Sequence, residues 1–253
     1  MTRLTGQHAV VTGGGSGIGA AIARALAAEG AQLTVVGRRA GPIQDIAQEI
    51  GGVAAQADVT DRDQVQAALA EGRAAHGPVT ILVNNAGAAE STPFARIDAD
   101  GWRRMMAVNL DAVFHCTQAA LADLRAAQAG RIVNVASTAA LKGYAYTAAY
   151  AAAKHGVLGL TRSLALELAE TGVTVNAVCP GFTDTDLVDA AATKIARLSK
   201  RTPDEARAEL ARFNPQGRLI APEEVAASVL WLCLPSSGSM TGQAIAIAGG
   251  EVM

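Results

Sequence analysis

Short apolar runs recur along the chain at fairly regular intervals, and none of them alternates polar with apolar residues. They are HAVVT (8–12), LTVVG (33–37), VAAQADV (53–59), TILVNN (80–85), RIVNVAS (131–137), TVNAVC (174–179) and AIAIAG (244–249). A strand with one wet face shows a period of two, whereas a strand covered on both faces does not. Between these runs lie longer stretches with helical apolar spacing: AAIARALAAEG, RDQVQAALAEGRAAHG and GVLGLTRSLALELAETG. Each of them closes at a glycine. Strand and helix in alternation predict right-handed βαβ crossovers. The fold class is therefore α/β, a doubly wound parallel sheet with helices on both faces.

No linker or internal repeat interrupts this pattern, so residues 1–253 read as a single domain, half of it hydrophobic and able to bury a large core. The exception is 184–218, longer and more polar than an ordinary connection, which predicts a substrate lid or binding loop, with a solvated helical pair as the equal alternative. In it Leu187, Val188, Ile195, Leu198 and Phe213 are expected to turn inward, with the lysines and arginines outward. The net charge of −2 gives no electrostatic reason for a nucleic-acid or membrane partner. No stretch approaches the roughly 20 apolar residues of a membrane span. The N-terminus enters a strand pattern without a charged segment leading into a long apolar one, so a cytoplasmic protein is expected. Cys116, Cys179 and Cys233 lie far apart without metal-ligand spacing and read as buried thiols in a reducing compartment, with no metal expected.

TGGGSGIG (12–19) stands between the first strand and the first helix. Glycines there permit a tight turn and close approach of a ligand, and the helix N-terminus offers free N–H groups to a pyrophosphate. Gly13, Ser16, Gly17, Ile18 and Gly19 are thus candidate dinucleotide-binding residues. At the end of the second strand an acidic residue would meet the adenosine ribose hydroxyls of NAD(H). Arg38 and Arg39 stand there instead, which favours NADP(H), with NAD(H) as the alternative.

AAYAAAKHGV (148–157) places Tyr150 and Lys154 four apart, on one face of a helix. By itself this is either an exposed polar pair or half of an active site. Ser137 ends the fifth strand and NNAG (84–87) follows the fourth, both at the carboxyl edge where open α/β sheets bind ligands. Neighbouring His155 points about 100° away on the helix and reads as a packing or surface residue.

TGGGSGIG, Asp58-Val59, NNAG, Asn109, Ser137, Tyr150-x3-Lys154, PGFTDT (180–185) and TGQAIAIAGG, in this order, resemble the short-chain dehydrogenase/reductase family over nearly the whole chain. The resemblance implies a Rossmann-like sheet of seven strands, commonly in a homotetramer. It assigns Tyr150 as proton donor and Lys154 to depress the phenol pKa and bind the nicotinamide ribose. Ser137 becomes the donor to the carbonyl oxygen, and Asn109 holds a water that links Lys154 to solvent. Asp58 and Val59 fall to the adenine, and Asn85, Ala86 and Gly87 to the ribose and sheet edge. Pro180, Gly181, Thr183 and Thr185 fall to the nicotinamide and phosphates.

Within the family, RIVNVASTAA, AAYAAAKHGV and CPGFTDTDL resemble 3-oxoacyl-thioester reductases and aromatic polyketide ketoreductases. The implied function is NAD(P)-dependent hydride transfer to or from a 3-oxoacyl or 3-hydroxyacyl thioester of coenzyme A or a carrier protein. A dehydrogenase of a free or cyclic secondary alcohol is the alternative, and a catalytically silent NADP-binding sensor a third reading. Ala129 and Leu166 stand where carrier-dependent relatives often carry docking arginines, and Ala88-Ala89-Glu90 replaces the Pro-Gly-Gly typical of the polyketide enzymes.

Overall fold

The strands predicted from apolar runs align into one parallel sheet. In the computed structural model, which describes residues 2–199 and 201–252, they are β1 (His8–Thr12), β2 (Gln32–Gly37), β3 (Val53–Gln56), β4 (Ile81–Asn84), β5 (Arg131–Val135), β6 (Thr174–Pro180) and β7 (Ala244–Ile247). Their spatial order is β3-β2-β1-β4-β5-β6-β7. Every pairing is parallel, so all seven carboxyl ends share one edge. The order reverses between β1 and β4, the crevice at which doubly wound sheets bind ligands.

Successive side chains serve opposite faces, which explains why the strands show no polar alternation. Ala9, Val11, Leu33, Val35, Ile81, Val83 and Val133 face the layer of α1 (Gly17–Ala28), α2 (Ala40–Ile50) and α9 (Pro222–Cys233). Val10, Val36, Leu82, Ile132 and Val175 face the layer of α3 (Arg62–His76), α5 (Ala112–Ala126) and α6 (Ala148–Glu167). Each strand thus joins two cores. The third predicted run is shorter than expected: β3 ends at Gln56, and the Asp58 carboxylate accepts hydrogen bonds from the Thr60 N–H and hydroxyl in a turn. Among the described residues, no helix is long and apolar enough to cross a membrane.

Ahead of α5 the chain runs through α4 (Ala99–Met106) and a π-helical turn, Ala107–Asp111. The segment 184–218 forms two helices, α7 (Asp186–Ser199) and α8 (Pro203–Ala211), around a small core of their own. That core comprises Val188, Ala192, Ala196, Ala206 and Leu210. Of the residues expected to turn inward, Val188 is buried and Ile195 packs beside it, while Leu187 and Phe213 are half-exposed; the Leu198 side chain lies outside the described residues. Two short helices cannot cover every apolar residue of so polar a segment.

Candidate active site

The glycine loop leaves β1 and enters α1 directly. Gly17 has φ +51°, and a Cβ there would meet Thr185 at 3.0 Å, so this loop and the PGFTDT loop touch. A Cβ on Gly19 would lie 2.5 Å from the Asn85 amide nitrogen and closer still to the Gly13 carbonyl. Only a bare Cα fits there. Ser16 is the N-cap of α1, yet its hydroxyl caps nothing, so the first N–H groups of the helix remain available to an anion. Ile18 follows in the first turn, packed against the core. Such a cradle at the switch point suits a dinucleotide pyrophosphate.

Thr12 and Asn85 shape this cradle. The Thr12 hydroxyl accepts from the N–H groups of Asn85 and Ala86, each at 3.0 Å. The Asn85 amide donates to the carbonyls of Thr12 and Gly13 at 3.0 and 3.2 Å. Asn85 therefore engages the glycine loop itself, and Gly87, exposed at the carboxyl edge, lies nearer the reacting groups: a Cβ on it would sit 3.6 Å from Lys154 Nζ. Arg38 and Arg39 project into solvent after β2, with Arg38 Nη1 a loose 3.9 Å from Asp58 Oδ2. Val59 beside them is buried.

Tyr150 and Lys154 lie in the first two turns of α6, and the Ser137 loop precedes that helix. The Lys154 ammonium donates to the Val135 carbonyl at 2.9 Å and sits 5.8 Å from the centre of the Tyr150 ring. Its side chain is buried, and that burial brings its pKa down to about 8. Burial pushes the Tyr150 phenol up, and the Ser137 hydroxyl beside it pulls in the opposite direction. In this balance the Lys154 ammonium is not the deciding charge. Its nitrogen is turned to a carbonyl of β5, and desolvation of the phenol outweighs it. The phenol is accordingly held protonated, the form that can donate to an alkoxide.

Asn109 lies within the π-helical turn, fully buried. Its amide donates to the Ala88 carbonyl at 2.9 Å and the Met105 carbonyl at 3.0 Å, while its oxygen accepts from the Ala88 N–H at 3.2 Å. The side chain therefore clamps the chain just past NNAG. A single-turn π-bulge is a frequent mark of a functional site, since the extra residue re-aims a side chain. His155 is exposed and bonds its own helix at Ala151.

Pro180 ends β6, and the Gly181 N–H donates to the Ile247 carbonyl at 3.0 Å. The Thr183 hydroxyl donates to the Gly181 carbonyl, and that of Thr185 to the Thr183 carbonyl. Asn214, which sequence reasoning passed over, holds this loop from behind. Fully buried, it accepts from the Phe182 N–H at 3.2 Å and donates to the carbonyls of Phe182 and Arg218. Nothing in NPQGR distinguishes it from an ordinary loop asparagine. Tyr144 and Glu251 were also missed, although Glu251 follows β7 at the same sheet edge as every other candidate.

A sequence model of the short chain dehydrogenases matches residues 7–196. The cis-4-hydroxycyclohexanecarboxylate dehydrogenase of Sinomonas cyclohexanicum is 40% identical over 248 residues, covering 96% of this chain and 95% of that enzyme. The 3-oxoacyl-acyl-carrier-protein reductase FabG of Vibrio harveyi is 36% identical over 252 residues, covering 99% of each. A variant of actinorhodin polyketide ketoreductase crystallised with NADPH superposes with a TM-score of 0.93 at 35% identity, covering 97% of each chain. The chain belongs to the short-chain dehydrogenase family. It is an NAD(P)-dependent oxidoreductase, and the cradle around Gly17 and Gly19 fits that coenzyme.

Proposed function

We propose that the chain transfers hydride between NADP(H) and the carbonyl carbon of a 3-oxoacyl thioester, with a coenzyme A thioester as the form accepted. The observation that carries this reading is the convergence of Ser137, Tyr150 and the Lys154 ammonium at the carboxyl edge, opposite a glycine loop with uncapped helix N–H groups. The bound coenzyme supplies or receives the hydride. Ser137 donates to the carbonyl oxygen and concentrates its developing charge. Tyr150 passes its proton to the same oxygen, and Lys154, charged below about pH 8, keeps a positive charge beside the phenolate left behind. Asn109 holds the Ala88 main chain, and with it the floor beneath Lys154.

Gly13, Ser16, Gly17, Ile18 and Gly19 would hold the pyrophosphate, Asp58 and Val59 the adenine, and Ala86, Gly87 and Lys154 the nicotinamide ribose region. Pro180, Gly181, Thr183 and Thr185 would close around the nicotinamide end, with Asn85 shaping the loop. Arg38 would pair with the 2′-phosphate, since its only ion pair among the described residues is long and it is 71% exposed in its side chain. Arg38→Asp replaces that partner with a repulsive charge. The ratio of kcat/KM for NADPH over NADH is expected to drop by about ten-fold or more. A wild type that already prefers NADH contradicts the assignment.

Coenzyme A is preferred over a carrier protein because Leu166, 82% exposed, and Ala129 offer no cation to an acidic carrier. A second reading, a free cyclic alcohol or ketone, is favoured by the aromatic wall of Tyr144, Phe182 and Phe213, with the latter two rings 5.0 Å apart. Comparing kcat/KM for acetoacetyl-coenzyme A with that for cyclic ketones decides between them. A cyclic ketone reduced at least ten-fold better than the thioester would overturn the first reading.

The helical pair within 184–218 serves as the lid. It has its own core, and it reaches across the site through Lys194, whose ammonium donates to the Ser91 carbonyl at 2.7 Å on an exposed surface. Hydrogen exchange over α7 and α8 is expected to slow when NADP and a substrate analogue bind. Strong protection in the free enzyme that ligands leave unchanged argues for a static pair. A homotetramer is supported by the exposed Phe114 on α5, and light scattering at monomer mass would refute it. A cytoplasmic location is supported by three free, buried cysteines, and secretion of the native protein would refute it.

A further inference from the structure

Four segments remote in sequence meet at Tyr144. Its ring packs edge-on against Phe182 of the loop after β6 and Phe213 beyond α8, with centroids 6.1 and 6.3 Å away. Its hydroxyl donates to Glu251 Oε1 at 2.6 Å, across 107 residues. The same hydroxyl lies 2.6 Å from the Thr138 hydroxyl. A carboxylate only accepts, so the Tyr144 proton points to Glu251 and Thr138 is the donor to Tyr144. Thr138 directly follows Ser137 and opens the short 3₁₀ turn in which the Ser137 oxygen accepts from the Ala139 N–H at 3.1 Å.

Glu251 is an unexpected residue to find there. Its side chain is only 2% exposed, its Oε2 has no partner among the described residues, and its one ion pair is to the part-exposed Lys142, at 3.2 Å. A buried carboxylate satisfied on one oxygen costs stability, and a side chain kept at such a cost points to a role beyond packing. What it does in this structure is aim the Tyr144 hydroxyl, and through it the residue next to Ser137. The loop so held, 137–147, is the connection between the oxygen-facing hydroxyl and the proton-donating phenol. Its last turn is strained as well: Tyr146, a non-glycine residue, has φ +68°, and its carbonyl is tied to the Thr92 N–H at 2.7 Å.

We propose that Glu251 is a positioning residue of the reaction, acting through Tyr144 and Thr138 to fix Ser137 against the substrate oxygen. This rests on the assignment of Ser137 and Tyr150 made above. The carboxylate at the end of the chain thereby reaches the reacting centre without touching substrate, and the aromatic contacts of Tyr144 tie the same loop to the end of the helical pair.

The test uses the full-length enzyme and the best carbonyl substrate found for it, with Tyr144→Phe, Glu251→Ala, Glu251→Gln and the double variant Tyr144→Phe/Glu251→Ala. Tyr144→Phe keeps the ring packing, so it carries the test even if an alanine at 251 unfolds the tail. Each of Tyr144→Phe and Glu251→Ala is expected to lower kcat by about ten-fold, with coenzyme affinity unchanged, because a small misplacement of an oxygen-facing donor acts on the chemical step. The double variant should be no slower than the slower single one, since both break the same link. Glu251→Gln, whose amide oxygen still accepts from Tyr144, should recover most of the loss. Unchanged kcat in Tyr144→Phe, losses that multiply in the double variant, or a glutamine no better than alanine would each overturn the proposal. Tyr150→Phe run alongside separates the two assignments. If it is inactive while Tyr144→Phe is normal, the Glu251 role alone fails; if it turns over normally, the underlying site assignment fails.

Discussion

Tyr150→Phe is expected to lower turnover by about two orders of magnitude or more while leaving coenzyme affinity almost unchanged. The substitution keeps the ring that packs beside Lys154, 5.8 Å from its nitrogen, and removes only the hydroxyl. Among the described residues its neighbours do not stand in its place: the Lys154 ammonium is turned to the Val135 carbonyl, His155 is exposed and bonded to its own helix, and Cys179, pushed up to about 11 by burial, is a poor acid. Burial holds the phenol protonated, so the wild-type enzyme enters reduction with its proton in place. The check is steady-state kinetics beside a coenzyme titration of the same preparation. Loss of coenzyme binding in parallel with turnover would show that the variant had disturbed the fold, and normal turnover in a folded variant would remove Tyr150 from the mechanism.

Gly19→Ala should weaken coenzyme binding by about ten- to a hundred-fold, the equivalent of the roughly 1–3 kcal/mol that overpacking costs. The added methyl would run into the Gly13 carbonyl and stand 2.5 Å from the Asn85 amide nitrogen. Both are fixed: Asn85 is bonded to the glycine loop at Thr12 and Gly13, and no flexible side-chain end is available to yield. The loop must therefore open, taking the N-terminus of α1 out of line. Fluorescence titration with NADPH measures the loss. Affinity within two-fold of wild type would mean that the cradle is not where the pyrophosphate sits.

The sheet was legible because strands buried on two faces leave continuous apolar runs, and HAVVT matches β1 residue for residue. The catalytic spacing was legible too, since i and i+4 on any α-helix share a face. Asn109 was found by its motif, but the π-helical turn that aims it was invisible, because one extra residue in a turn barely disturbs a 3.6-residue period over a short window. The balance of forces on the Tyr150 phenol was not legible for a different reason. Spacing places two groups side by side but does not show that the ammonium turns to the Val135 carbonyl, or how strongly the phenol is desolvated. Asn214 and Glu251 escaped notice because each acts on a main chain or hydroxyl brought near only by the tertiary fold, 32 residues away for Phe182 and 107 for Tyr144. Segment 184–218 showed its length and polarity, but not that its two helices would bury Val188, Leu210 and three alanines between them in preference to Phe213.

This site is expected to turn over with the coenzyme and the residues named. The most direct measurement follows absorbance of the reduced nicotinamide on mixing enzyme with NADPH or NADH and a panel of carbonyl compounds that includes acetoacetyl-coenzyme A and cyclic ketones. Oxidised coenzyme is expected to form one for one with alcohol product, faster with NADPH, and to be nearly abolished in Tyr150→Phe. Tight NADPH binding with no oxidation on any member of the panel, and no reduction of NADP by the matching alcohols, would contradict this and leave a coenzyme-binding protein without catalysis.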